Sequence, residues 1–187
     1  MLLETIWEQD LDMALAINKK TFEEKLYEHM KLREGYKNEV YLDTLDKPTC
    51  GIGHLLTKQE QEDFPVGTEV DDYKIKEWYM EDITTALQAA KKQASILSTD
   101  DEHIVIALTS VNYQLGRSWT KKFPTAWKCL CHKEYDRAID EIMYADKDSG
   151  RHSRWYKQTP VRVEDFVTAI KRLKEIDILV ILICWFN

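Results

Sequence analysis

Residues 34–57 read EGYKNEVYLDTLDKPTCGIGHLLT. This stretch places an acid, Glu34, before a predicted β-hairpin, a second acid, Asp43, after the first strand, and the hydroxyl of Thr49 on the return strand. Residues 51–53 contain two glycines, which permit a tight turn because glycine adopts positive φ without steric cost. Two carboxylates and a hydroxyl on opposite sides of a small β-lobe suit glycoside hydrolysis, since one acid protonates the leaving oxygen while the other side positions a water.

Length and composition predict a folded unit with a sizeable core. The chain has 187 residues, of which 44% are hydrophobic and 11% aromatic, so one domain or one two-lobed unit is expected rather than disorder. The formal net charge of −7 argues against nucleic-acid binding, which normally requires a basic face. No His, Cys and carboxylate cluster has the spacing of metal ligands, so neither a metal nor another cofactor is expected.

Cysteine spacing and the N-terminal sequence predict synthesis in a reducing cytoplasm. Cys129 and Cys131 lie two residues apart on a predicted helix and point in different directions, which makes a poor disulfide geometry. Because no CxxC spacing occurs either, free thiols are expected. The first thirty residues contain acids throughout and lack the apolar segment of a secretory signal.

Hydrophobic periodicity predicts a mostly helical chain around the hairpin. The capping box of Thr21 and Glu24 predicts a helix over residues 22–34, which places Glu34 at the electrically negative helix end. That location and burial would both favour the protonated form that a general acid needs. The remaining predictions are strands at 40–42 and 49–52, loops at 64–67 and 146–152, and helices at 71–97, 102–115, 124–131, 134–145 and 161–175.

The two ends of the chain carry apolar residues of their own. Leu3, Trp7, Leu11 and Ala14 recur at helical spacing, which predicts an amphipathic helix that either docks a partner or packs on its own domain. Residues 178–186 are strongly apolar but too short to span a bilayer. The alternatives for this run are packing on the N-terminal helix, on a second copy, or on a virion partner, through residues 1–20 and 178–187.

Three motifs resemble those of the T-even phage lysozymes, the endolysin muramidases of glycoside hydrolase family 24. They occur in the family's order over residues 26–173. The motifs are Glu34-Gly35 with Tyr41-Leu42-Asp43 and Thr49-Cys50-Gly51-Ile52-Gly53-His54; Tyr113-Gln114-Leu115-Gly116 with Phe123; and Ser153-Arg154-Trp155-Tyr156-Lys157-Gln158-Thr159-Pro160-Val161-Arg162.

The resemblance implies an α+β, lysozyme-like fold with a cleft between two lobes joined by a long helix. The β-lobe would cover about residues 36–70, and the helical lobe about residues 71–175 plus the helix 22–34. An N-terminal helical extension, 1–25, and an apolar tail, 176–187, would flank the lysozyme domain at 26–175.

The resemblance also implies the site. Glu34 would be the general acid, Asp43 would support positive charge at the anomeric carbon, and Thr49 would hold the attacking water. His54 and Asp82 would form a structural ion pair between the lobes. The substrate-binding residues would be Leu55, Tyr113, Gln114 and Arg154. Trp155 and Tyr156 would be either core residues or a platform for a sugar.

The activity implied is hydrolysis of the β-1,4 bond between N-acetylmuramic acid and N-acetylglucosamine in bacterial peptidoglycan. A phage endolysin would remain in the host cytoplasm until lysis and then act on the periplasmic cell wall. The alternatives are a lysozyme carried in the virion, in a tail or injection apparatus, and a non-catalytic structural or wall-binding relative.

Overall fold

The computed structural model describes residues 20–186. The predicted N-terminal helix, with Leu3, Trp7, Leu11 and Ala14, therefore lies outside the described residues. The described chain combines helices with a small antiparallel sheet, which confirms the α+β class. Helix α1, Phe22–Glu34, begins at the predicted capping box and ends at Gly35, where φ is 85°.

The small lobe is a three-stranded antiparallel sheet in the order β1-β2-β3. Its strands are β1 Lys37–Leu42, β2 Pro48–Gly51 and β3 His54–Leu55. Tyr41 on β1 lies opposite Thr49, which lies opposite Leu55 on the other side. The sheet register therefore surrounds Thr49 with a strand on each side.

A short helix, α2 Lys58–Asp63, follows the sheet and was not predicted. Thr57 and Glu60 form a capping box at its start, with the Thr57 N–H donating to Glu60 Oε2 at 2.8 Å. The Thr-x-x-Glu pattern was thus a readable signal for this helix.

Helix α3, Asp72–Ile96, joins the two lobes. Ile75 and Trp78 belong to the core of the β-lobe with Val40 and Cys50, whereas Ala90 and Ala94 belong to the core of the helical lobe. The same helix therefore contributes side chains to both cores.

The helical lobe is built around α4, Glu102–Leu115, whose residues 104–112 are all buried. The other elements are α5 Trp119–Lys122, α6 Pro124–Cys131, α7 Tyr135–Met143, β4 Tyr144–Asp146, β5 Arg151–His152, α8 Arg154–Gln158 and α9 Pro160–Phe186. An uninterrupted run of buried positions is typical of a helix that is surrounded by others.

The helix expected near 134–145 is present as α7, Tyr135–Met143. Two other predictions in this lobe were wrong. The expected loop 146–152 instead contributes to the hairpin of β4 and β5, in which Tyr144 stacks on His152 at 5.1 Å. The helix expected at 161–175 continues through the expected tail to Phe186. No glycine or proline follows residue 160, so nothing in the backbone ends α9 at residue 175.

Candidate active site

Glu34 is the last residue of α1, directly before the turn at Gly35 that leads into β1. Its Oε2 accepts a hydrogen bond from Arg162 Nη2 at 2.5 Å, and both side chains are mostly buried. Its Oε1 is buried and accepts no hydrogen bond from the described residues. The two oxygens are therefore distinct: Oε2 is held by Arg162, and Oε1 has no hydrogen-bond donor among residues 20–186.

Arg162 reaches Glu34 from the first turn of α9. The same Nη2 donates to the Arg33 carbonyl oxygen at 3.0 Å, so Arg162 also satisfies an unpaired carbonyl at the end of α1. One turn later on α9, Asp165 accepts a hydrogen bond from Arg33 Nη2 at 2.8 Å and also pairs with Arg33 Nε. Two ion pairs thus join α1 to α9 beside Glu34. In one of them α9 supplies the cation, and in the other α1 supplies it.

The sequence analysis assigned no role to Arg162 or Asp165. The sequence nevertheless contained a signal for these two ion pairs. Arg33 and Glu34 are adjacent and opposite in charge, and so are Arg162 and Asp165, which lie three residues apart. Side chains three residues apart lie on one helix face, so they can meet an adjacent pair on a neighbouring helix end.

Asp43 follows the end of β1 and organises the turn that leads to β2. Its Oδ1 accepts hydrogen bonds from the N–H groups of Leu45 at 2.7 Å and Lys47 at 2.9 Å. Its own N–H donates to the Lys47 carbonyl oxygen at 2.9 Å. Oδ2 accepts no hydrogen bond within residues 20–186, so the turn fixes the carboxylate while leaving one oxygen available.

Thr49 is buried, and its hydroxyl donates to the Lys47 carbonyl oxygen at 3.0 Å. Lys47 therefore connects Thr49 to Asp43 through its backbone. Because the hydroxyl hydrogen is already used, Thr49 Oγ1 is available as an acceptor only. An acceptor in this place would orient a water molecule by accepting a hydrogen bond from it.

His54 is held between two carboxylates. Its Nδ1 lies 2.9 Å from Asp82 Oδ2, and its Nε2 lies 3.4 Å from Glu60 Oε2. Its ring stacks on Trp78 with 4.7 Å between centroids. Burial by itself would lower the pKa of His54, but the hydrogen bonds and charges of Asp82 and Glu60 outweigh burial and raise it. The structure brings the predicted pair together and adds Glu60, which the sequence analysis missed.

Tyr113 lies between the acid and this histidine cluster. Its hydroxyl donates to the Ile52 carbonyl oxygen at 3.4 Å. Burial and, to a smaller extent, the charges of Asp82 and Glu34 together raise the pKa of Tyr113 to about 12 against the opposing effect of Arg162. A cavity of about 600 Å³ opens beside Tyr113 and is lined also by Asp82, Asn112 and Arg117.

Both polar atoms of the Gln114 side-chain amide form hydrogen bonds within the protein. Its Nε2 donates to Thr159 Oγ1 at 3.0 Å, and its Oε1 accepts from Trp155 Nε1 at 3.0 Å. Trp155 is buried in the helical core, which decides between its two predicted roles in favour of the core. Tyr156 is half-buried and donates its hydroxyl to Glu164 at 2.9 Å.

Leu55 and Arg154 are exposed. Leu55 lies on β3 next to Thr49, whereas Arg154 begins α8 in the helical lobe. Across residues 20–186, no group of three His, Cys, Asp or Glu side chains is arranged to hold a metal ion. The groups that the site presents are the carboxylates of Glu34 and Asp43, the hydroxyl of Thr49 and the mostly buried guanidinium of Arg162.

Comparison with known proteins shows the family to which this chain is similar. The family model described as "Phage lysozyme" matches residues 31–158. These residues include Glu34, Asp43, Thr49 and the His54–Asp82 pair, and they end just before Arg162.

Three curated proteins are similar to this chain over most of its length. "Peptidoglycan hydrolase gp36" of Pseudomonas phage phiKMV is 27% identical over 72% of this chain but only 14% of its own length. "Probable T4-type lysozyme 2" of Dictyostelium discoideum is 25% identical over 73% of this chain and 88% of its own length. "Pre-baseplate central spike protein Gp5" of Enterobacteria phage T4 is 25% identical over 72% of this chain and 25% of its own length.

Proposed function

The chain belongs to the phage lysozyme family, and from that premise we propose that it is a muramidase that hydrolyses the β-1,4 bond between N-acetylmuramic acid and N-acetylglucosamine in bacterial peptidoglycan. The observation that carries this proposal is the environment of Glu34: one oxygen bound by Arg162 and the other buried without a donor among the described residues. Once Glu34 is protonated on Oε1, its carboxyl can give that proton to a leaving oxygen while Arg162 keeps Oε2 in place.

Stabilisation of the positive charge and orientation of the water are assigned to Asp43 and Thr49. The Asp43 carboxylate, fixed by two backbone N–H groups, supports the positive charge that develops at the anomeric carbon. Thr49 Oγ1 accepts a hydrogen bond from the attacking water and thereby orients it. Glu34 gives its proton to the glycosidic oxygen as the bond to the anomeric carbon breaks, and the water oxygen forms the new bond to that carbon. The proton that the water loses passes to solvent, from which Glu34 is reprotonated for the next turnover.

The test is the chemical identity of the new sugar ends in purified peptidoglycan. Digestion followed by borohydride reduction converts each new reducing sugar to its alcohol. A muramidase yields N-acetylmuramitol, and the Glu34→Gln variant yields none. Release of N-acetylglucosaminitol alone, or no new reducing ends with the unaltered chain, contradicts the proposal.

Two settings fit this activity. As a free endolysin, the enzyme remains in the host cytoplasm until lysis and then meets the cell wall. As a virion-borne lysozyme, it travels in the particle, and the similarity to part of a pre-baseplate central spike protein favours this second setting. Mass spectrometry of purified particles separates the two, because only a virion-borne enzyme is retained through repeated density banding. The non-catalytic alternative is disfavoured by the presence of Glu34, Asp43 and Thr49 together.

A further inference from the structure

The last part of α9 extends beyond the helical core and is apolar. The side chains of residues 178–183 and of Trp185 are between 46% and 85% exposed. The last charged residue before them is Asp177, which pairs with Lys133 at 2.9 Å and accepts a hydrogen bond from Tyr135. Core packing by α9 therefore ends near Asp177, while the helix itself continues to Phe186. The lysozyme chemistry assigns no role to this segment.

The apolar surface encircles the helix. Successive residues of an α-helix are rotated by about 100°, so six consecutive apolar residues, 178–183, point in every direction around the axis. A partner helix or a protein groove covers one face of a helix and leaves the others in water. A helix that is apolar on all sides instead fits an environment that surrounds it.

We propose that residues 178–186 insert into the hydrocarbon of a lipid bilayer and anchor the protein to its surface. Nine helical residues extend about 14 Å, which is roughly half of the ~30 Å hydrocarbon thickness. Within residues 20–186 no helix is both long and apolar enough to cross a membrane.

Charged side chains surround the base of the apolar segment. Lys174 pairs with Asp136 at 2.7 Å, one turn before Ile178, and Lys133 pairs with Asp177. Lys133, Lys174 and Asp136 are exposed at the level where polar headgroups would lie once the apolar segment is inserted. The change from ion pairs to a purely apolar surface within one helical turn defines the depth of insertion.

Helix α9 also determines where the candidate active site lies relative to the bilayer. Arg162, which holds Glu34, is in the first turn of the same helix. The sixteen residues from Arg162 to Ile178 correspond to about 24 Å. An anchored molecule therefore holds its acid well clear of the lipid surface. This proposal does not depend on the muramidase assignment.

Vesicle flotation tests the anchor with the full 187-residue chain. The probes are vesicles of phosphatidylcholine and vesicles of phosphatidylethanolamine with phosphatidylglycerol. The test variant is Ile181→Lys, and the matched control is Ile96→Lys, because Ile96 at the end of α3 has similar exposure, 61% against 57%. We expect the unaltered chain and the control to float with both vesicle types, and Ile181→Lys to partition at least about tenfold less, since a charge in hydrocarbon is costly.

A second measurement tests the depth. Brominated lipids quench tryptophan fluorescence at short range, and Trp185 is 85% exposed while Trp78 and Trp119 are buried. Quenching should therefore disappear in Trp185→Phe. The proposal is overturned if the unaltered chain stays in the aqueous phase, if Ile181→Lys floats as well as the control, or if Trp185 is not quenched. A concentration-dependent dimer in light scattering, without flotation, would instead identify a second copy as the occupant. Thermal melts establish that both lysine variants are folded.

Discussion

Arg162 and Glu34 are separated by 128 positions in the sequence, yet Arg162 Nη2 lies 2.5 Å from Glu34 Oε2. The guanidinium also caps the end of α1 through the Arg33 carbonyl oxygen. The orientation of the candidate acid therefore depends on the docking of α9 against α1. The first two predictions test the two members of this pair separately.

Glu34→Gln should abolish cell-wall hydrolysis and leave the protein folded but less stable, because Arg162 then lacks its carboxylate partner. An amide oxygen can still accept a hydrogen bond from Arg162, but the amide is not an acid, and loss of general acid catalysis costs about 10²–10⁴-fold in rate. The measurement is the clearing of outer-membrane-permeabilised cells together with a thermal melt. Glu28→Gln, an exposed change on the same helix, is the control. Clearing by Glu34→Gln at a rate near that of the control would remove Glu34 from the mechanism.

Arg162→Gln should lower both turnover and stability. Removing one partner of a mostly buried ion pair leaves the other charge uncompensated, a loss of about 3–5 kcal/mol. Adding Glu34→Gln should restore part of this stability, because no buried charge then remains. Arg172→Gln on the same helix breaks the more exposed pair with Asp101 and should cost much less stability, because solvent screens an exposed ion pair. Denaturant titrations of the unaltered protein, Glu34→Gln, Arg162→Gln and the double variant measure the coupling, with Arg172→Gln as the control. Equal losses for Arg162→Gln and Arg172→Gln would refute the special role of Arg162.

Asp43→Asn should lower kcat by about 10²-fold or more without weakening the binding of a chitooligosaccharide. The asparagine oxygen can still accept the N–H groups of Leu45 and Lys47, so the turn is kept and only the charge is lost. Steady-state kinetics and sugar titrations separate the two effects. A variant with normal kcat and lost sugar affinity would show that Asp43 binds substrate rather than supporting the transition state.

Thr49→Val should reduce kcat, whereas Thr49→Ser should retain most of it. Valine keeps the branched shape in this buried position but removes the acceptor oxygen, and serine keeps the oxygen. We expect a loss of about 10²-fold for the valine variant. Kinetics on soluble oligosaccharide with both variants test this, and equal rates for the two would mean that the hydroxyl does not position water.

Asp82→Asn should remove a pH-dependent part of the stability. The raised pKa of His54 means that its protonated form stabilises the fold. This contribution is fully present below the ordinary value of 6.5 and is lost as pH rises through the raised pKa of the folded state. The melting temperature of Asp82→Asn should therefore fall below that of the unaltered protein most at mildly acidic pH, and the difference should shrink at alkaline pH.

The controls for this series distinguish the two carboxylates. Glu60→Gln should show the same trend more weakly, because Glu60 lies farther from His54, at 3.4 Å. His132→Asn, at an exposed position, should show no such trend. A difference between Asp82→Asn and the unaltered protein that is constant from acidic to alkaline pH would exclude an ionised pair.

Gly51→Ala should destabilise the small lobe more than Gly53→Ala. Both glycines have positive φ, 64° and 82°, so alanine is strained at either position by about 1 kcal/mol. At Gly51 an added Cβ would also lie 2.6 Å from Ile75 Cγ2, whereas at Gly53 it would meet nothing within 4 Å. Thermal melts of the two variants isolate this contact, and equal melting temperatures would show that the sheet can move away from α3.

Much of the local structure could be predicted because its causes are local. The capping box of Thr21 and Glu24 sets the start of α1, and Gly35 sets its end. The periodic apolar residues of α3 and α4 predict those helices almost to the residue. Where prediction failed, the reason was also identifiable: α2 depends on a capping box that was overlooked, and the hairpin of β4 and β5 depends on contacts such as the stacking of Tyr144 on His152.

The sequence by itself determined the residue types of the candidate site, the hairpin that carries Asp43 and Thr49, and the family to which the chain belongs. Only the tertiary structure decided that Arg162 binds Glu34, that Glu60 joins Asp82 at His54, and that the apolar segment continues α9 as an exposed helix. Hydrophobic periodicity and helix capping involve residues within one or two helical turns of each other, so they can be recognised from residues that are close in the sequence. Ion pairs between α1 and α9 depend on how distant helices pack, which no local pattern specifies.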